Sequence, residues 1–187
     1  MEWYSIVKFV HVAAVIVWLG GALGLVLLGA RANRTNDTVE FGHILQDVAL
    51  MSARVFVPSA LVALVFGLIL FFLYGLYGFL WVYIGLAGFA ATFGMGIAML
   101  KPRADKIVAQ IGREGVTPAV VEQGRDLLRH AQFDMVLLFV IVADMVIKPG
   151  FSDWITLVIM ALVIIGGAYY FLRDQMMSLT ARAMQKA

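Results

Sequence analysis

The sequence predicts an all-α membrane protein, a five-helix transmembrane bundle with its N-terminus outside and its C-terminus in the cytoplasm. Three observations carry that reading. Of 187 residues, 63% are hydrophobic and 14% charged, whereas an ordinary soluble domain carries about a quarter charged residues. A chain this short leaves much of its surface exposed, so the apolar surplus must face lipid. Apolar runs long enough to cross a hydrocarbon layer, which takes about 20 helical residues, recur along the chain, and the cations between them fall mostly in alternate loops. The same composition excludes a disordered chain. With no cysteine, it also excludes a disulfide framework and a Cys-ligated zinc or iron–sulfur site.

The first span covers residues 3–30. A short lysine-bearing segment before its apolar run resembles a secretion signal. The run is too long for one, however, and Arg31 and Arg34 behind it form a stop-transfer flank, so it reads as a retained helix. Residues 38–53 read as an amphipathic cytoplasmic helix leading into the second span, 55–73. There Pro58 either starts the buried helix or kinks it by removing one backbone donor. The Tyr74–Gly78 turn leads to the third span, 79–100. Thr117–Pro118 then has the form of an N-cap followed by a first-turn proline. After it, Val121, Leu128 and Gln132 share one face, while Glu122, Arg125, Asp126 and Arg129 make the other polar. Residues 117–131 are thus expected as a solvated helix running into the fourth span, 132–147. That span carries Asp134 and Asp144, each costing about 2.5–3.5 kcal/mol at a bilayer midplane, so its neighbours must help it insert. A Lys148–Asp153 turn leads to the fifth span, 154–172. The chain contains no internal repeat and reads as a single transmembrane domain, 1–187.

The 14 lysines and arginines fix the expected topology. Arg31, Arg34 and Arg54 lie between spans one and two. Lys101, Arg103, Lys106, Arg113, Arg125 and Arg129 lie between three and four, and Arg173, Arg182 and Lys186 follow five. Only Lys8 and Lys148 fall on the other side, so the positive-inside rule places the N-terminus outside. The turns on that side are too short for an extracellular domain.

Ionisable side chains at membrane depth are costly and are the first functional candidates in a span. His11 is the clearest. At 1.5 Å per residue it lies about 12 Å along the first helix from Trp3, in the outer half of the bilayer. Lys8 and Trp18 share its face, while Gly20 and Gly24 fall opposite. The Gly20-x-x-x-Gly24 spacing lets another helix approach, most simply within the same chain. Asp144 and Lys148 of the fourth span come to about the depth of Lys8 and His11, so the four are expected to converge.

Three readings of that cluster stay open. His11 bonds Asp144 while the lysines snorkel to the headgroups, and the group only orients helices. Or His11 is an axial ligand to the iron of a haem b, or a porphyrin contact, with Lys8, Trp18, Asp144 and Lys148 around the same cofactor. Or the histidine and carboxylate relay protons or hold a transported ion. A bis-histidine haem is excluded because His43 and His130 lie on the order of 25–30 Å from His11 by helix rise. Any haem there is five-coordinate or takes another sixth ligand, such as Met145. His43 and His130 themselves read as solvated. Copper is disfavoured: of 10 methionines, only Met95 and Met99 make an i,i+4 pair within a span, far from His11. No P-loop, dinucleotide turn, nucleophile elbow or H-E-x-x-H helix occurs, and the basic face is too small for nucleic acid.

The segments KFVHVAAVIVWLGGALGLVLLGARA (8–32), RVFVPSALVALVFGLIL (54–70), WVYIGLAGFAATFGMG (81–96) and FDMVLLFVIVADMVIKPG (133–150) resemble a bacterial family of predicted integral membrane proteins of unknown function. That family is similar, more distantly, to the CopD-type copper-resistance membrane domain and to HemJ-type protoporphyrinogen oxidases. The most specific parts are His11, Trp18, Gly20 and Gly21 in the first span and Lys148-Pro149-Gly150 after the fourth. The resemblance implies the cytoplasmic (inner) membrane of a bacterium and makes the fifth helix an addition beyond the K-P-G. The HemJ similarity implies a haem-b-linked porphyrin oxidase, with His11 matching the first-helix histidine and Lys148 the lysine of the final K-P. Asp144 stands where that pattern has an apolar residue. The sequence reading settles on a non-enzymatic structural or accessory subunit, with the lipid bilayer and other membrane-protein subunits as partners. Its rival is a haem or porphyrin-binding redox protein using His11. An ion, copper or proton carrier stands third, without the inverted repeats or broken helices of that class.

Overall fold

The computed structural model describes residues 3–32, 34 and 38–184. Among them the regular structure is all helical, without strands. The helices are α1 (Trp3–Ala32), α2 (Thr38–Met51), α3 (Val57–Leu73), α4 (Leu80–Met95), α5 (Lys101–Glu114), α6 (Pro118–Ile147) and α7 (Trp154–Met184). Because α2 runs into α3 and α4 into α5 without a break, the described residues form five rods long and apolar enough to cross a membrane.

Two π-helical turns, Ser52–Phe56 and Gly96–Leu100, make those joins, and each ends two residues before a proline, Pro58 or Pro102. Proline lacks an N–H and its ring clashes with the carbonyl four residues back, so a straight α-helix cannot run through it. Widening the preceding turn moves that carbonyl aside. At the first join Ser59 restores bonding, its hydroxyl lying 2.7 Å from the Val55 carbonyl and 3.0 Å from that of Phe56. Pro58 therefore neither starts a separate helix nor breaks this one.

Thr117 caps α6 as expected: its hydroxyl accepts from the Val120 N–H at 3.3 Å. The expected helix 117–131 and the fourth span are one rod of 30 residues. At its other end Lys148 takes the left-handed conformation, φ 55°, and its N–H donates to the Asp144 carbonyl at 2.8 Å. Pro149 follows and stops the helix. The structure adds a helix that the apolar runs did not announce, α5. Its signal was an amphipathic pattern opened by Pro102 rather than hydrophobicity.

In the bundle α1 packs on α3 and α6, α6 also receives α4 and α7, and α3 meets α4 only along a narrow seam. Trp18 is the hub of the core, its ring 6.0 Å from Phe56 and 5.3 Å from Phe89. A second small core of Phe41, Ile44, Ile107 and Val120 ties α2, α5 and α6 together at the cation-rich end. The close approach to α1 is shifted from the expected glycine pair. Gly20 faces open space, whereas Gly21 and Gly24 receive Val55 and Met51. Packing within the chain therefore uses Gly21 and Gly24, because residue 20 is turned about 100° away from its successor. Large apolar side chains line the outside, Leu162 at 61% and Ile165 at 63% exposed among them, as lipid-facing helices require.

Candidate ligand-binding site

Helices α1, α3, α4 and α6 line a partly open cavity of about 540 Å³ that extends from Tyr4, Lys8 and Lys148 at one end to Trp18, Phe89 and Leu138 in mid-bundle. Its walls are mostly aliphatic and aromatic, among them Val15 and Leu19 of α1, Leu64 and Phe71 of α3, Leu86 of α4 and Ile141 of α6. α7 contributes nothing to it. That volume lies within the range of small-molecule sites, about 300–1,000 Å³.

His11 reaches this cavity from α1, half-buried, with Nδ1 2.8 Å from the main-chain carbonyl of Ala63 on α3. A carbonyl can only accept, so Nδ1 carries the hydrogen and the lone pair of the ring sits on Nε2. The ring fits against α3 because residue 67 is glycine: a Cβ there would stand 3.0 Å from His11 Cε1 and 3.2 Å from Nδ1. Two cations rim the space. Lys8 Nζ lies 5.8 Å from the Tyr4 ring centroid and Lys148 Nζ 5.3 Å from that of Trp81. Each is thus steadied by an aromatic face. Lys148 is aimed there by its left-handed backbone, held between the Asp144 carbonyl and buried Pro149.

Of the four residues expected to converge, Lys8, His11 and Lys148 line one cavity, with Trp18 at its mid-bundle end. Asp144 does not line it. The expected His11–Asp144 bond is absent, because the tight α1–α3 contact supplies His11 with Ala63 as partner, while Asp144 turns toward α4 near Gly85. There Asp144 is fully buried with neither carboxylate oxygen hydrogen-bonded. The indole Nε1 of Trp18 is likewise buried without a partner. Met145 lines the cavity beside Gly85.

At the cation-rich end His43 is exposed as expected, but His130 is not solvated. It is 3% exposed, with Nδ1 2.8 Å from the Asp126 carbonyl. The helices packed on α6, among them α1, α4 and α5, bury a position that the polar sequence around it had marked as surface. Sequence reasoning also missed Gly67, Trp81 and the Ala63 carbonyl. A main-chain acceptor has no sequence signal, and Gly67 stands out only once α3 is known to lie against His11. Among the described residues no group of three or more histidine and acidic side chains is placed to hold a bare metal ion.

Fold and site together define a multi-pass helical membrane protein with a ligand-sized cavity inside a four-helix core. The chain belongs to the family described as predicted integral membrane protein (DUF2269), which matches residues 5–149. The matched region covers the four helices that wall the cavity and ends at Pro149, so α7 lies beyond it. No curated protein and no solved structure matches the chain.

Proposed function

We propose that this protein binds haem b or a related porphyrin in the four-helix cavity and works as a membrane redox protein, with His11 as the iron ligand. The observation that carries the reading is the His11–Ala63 hydrogen bond. Histidines that ligate metals characteristically donate their other N–H to a carbonyl or carboxylate, which fixes the ring and leaves Nε2 as the donor atom. The remaining residues suit the same ligand. The apolar walls match a macrocycle, and Lys8 and Lys148 at the rim match acidic side groups reaching toward water. When bound, a haem supplies one-electron exchange. The chain's own part is to hold the ring, exclude water along the apolar walls and neutralise the acidic groups. This is also the reading consistent with the resemblance to HemJ-type oxidases.

The accessory-subunit reading rests on short loops and close helix packing, neither of which accounts for a cavity of about 540 Å³. The test is an absorption spectrum of protein purified in mild detergent from haem-replete cells, oxidised and then dithionite-reduced. A Soret band with sharpened reduced-state peaks is expected, lost in His11→Ala. A colourless wild type sinks the haem reading and returns the chain to the accessory class.

We further propose that the Lys8 and Lys148 end faces outward in a bacterial cytoplasmic membrane. The positive-inside rule supports this, with Arg31, Arg54, Lys101 and Arg103 at the opposite end. The chain has no cysteine, so single cysteines introduced at Ser152 and at Gly115 give a clean test. A membrane-impermeant maleimide applied to whole spheroplasts should label the first and spare the second, and the reverse pattern inverts the topology.

A further inference from the structure

Along α6, Asp126, His130 and Asp134 stand four residues apart, so their side chains form one stripe with about 5–6 Å between successive Cβ atoms. The stripe runs from wet to dry. The Asp126 side chain is 29% exposed and lies 3.3 Å from Arg103 of α5. His130 and Asp134 are each 3% exposed, and Asp134 Oδ1 has no hydrogen-bond partner. Because His130 Nδ1 donates to the Asp126 carbonyl at 2.8 Å, Nε2 is the nitrogen that can take up and release a proton.

The other core helices also bury polar atoms: the Trp18 indole N–H of α1 and the Ser59 and Thr92 hydroxyls of α3 and α4. By helix rise Trp18 lies about 15 Å from Lys8 and Asp134 about 21 Å from Lys148, so the carboxyl sits on the order of 6 Å deeper than the indole. The Ser59 and Thr92 hydroxyls donate to carbonyls of their own helices, so their oxygens still accept. Trp18 Nε1 is an unused donor at the cavity floor. A carboxyl this deep with an unpaired oxygen is costly to keep for packing alone.

We propose that this stripe is a proton-transfer route between water at the cation-rich end and the floor of the cavity, whatever the cavity holds. His130 Nε2 accepts a proton from hydronium in the water beside Asp126, leaving water and an imidazolium, and releases it to the Asp134 carboxylate. Asp134 becomes a neutral acid and His130 returns to neutral imidazole. Only N–H and O–H bonds form and break, and no electron moves. Asp134 then gives the proton to water on the way to the cavity floor, where the Trp18 N–H is an unpartnered donor. From there the cavity continues to the Lys8 and Lys148 end.

The test uses the full chain in phosphatidylcholine vesicles containing the pH dye pyranine and potassium. Valinomycin drives potassium out and sets an interior-negative potential. Wild type should acidify the interior faster than protein-free vesicles do. Asp134→Asn and His130→Gln should each fall to the protein-free rate, while Asp134→Glu keeps most of the flux. Circular dichroism and gel filtration confirm that each variant is folded. Wild type at the protein-free rate overturns the proposal, as does either His130→Gln or Asp134→Asn conducting like wild type. Should Asp134→Asn not fold, His130→Gln and Asp134→Glu still decide it. The absorption spectrum of the same wild-type preparation is recorded beside the flux: a colourless protein that conducts fails the haem reading alone, and a coloured protein at the protein-free rate fails this route alone.

Discussion

His11 lies against α3 only because residue 67 has no side chain. In Gly67→Ala the new Cβ would stand 3.0–3.2 Å from the imidazole, closer than ordinary van der Waals contact, so the ring must move off the Ala63 carbonyl. Ligand affinity should fall on the order of tenfold, about 1.4 kcal/mol, in a spectroscopic titration, while the melting temperature in detergent changes little. Unchanged affinity would mean that the His11–Ala63 bond does not position the ring. Lys148 separates stability from binding in another way. Its left-handed backbone, φ 55°, costs an L-residue about 1–2 kcal/mol that glycine escapes. Lys148→Gly should therefore hold or raise the melting temperature and at the same time weaken binding of an acidic ligand. A fall in both would make the Lys148–Trp81 contact a structural one.

At the scale of elements, the rods are built to pass their prolines rather than to stop at them. The π turns before Pro58 and Pro102 keep α2–α3 and α4–α5 continuous, so helices that span the bilayer also build the small core at the cation-rich end. Where a helix truly begins, at α6, the cap follows the ordinary rule. Thr117→Ala removes the acceptor for the Val120 N–H and should destabilise by about 0.5–2 kcal/mol. Thermal unfolding in detergent checks this, and Thr117→Ser should restore most of the loss. An unchanged melting temperature in Thr117→Ala would mean that packing of Val120 alone sets the helix start.

At the scale of the molecule, four helices make the site and the fifth stands beside it. α7 packs on α6, lies outside the family match of 5–149 and lines no part of the cavity. A chain ending at Phe151 should insert and keep its ligand spectrum with affinity within about threefold, a difference below 1 kcal/mol. A larger loss would show that α7, through Gly167 against Val136, holds α6 in its working position.

The sequence by itself determined the class. Apolar length, loop cations and the Thr117–Pro118 signal are local, and bilayer thickness turns them directly into helices that span. It also brought Lys8, His11 and Lys148 toward one end of the bundle, because helix rise is constant and depth can be counted. What only the tertiary structure decided was which faces meet. Depth says nothing of azimuth between helices, so Asp144 was placed beside His11 when it faces α4. His130 was left to solvent when it is buried on a helix that α1, α4 and α5 pack against. The Ala63 carbonyl beside His11 and the space at Gly67 arise between helices far apart in the chain. Helix neighbours in a bundle are chosen by the packing of whole surfaces, and no single segment carries that information.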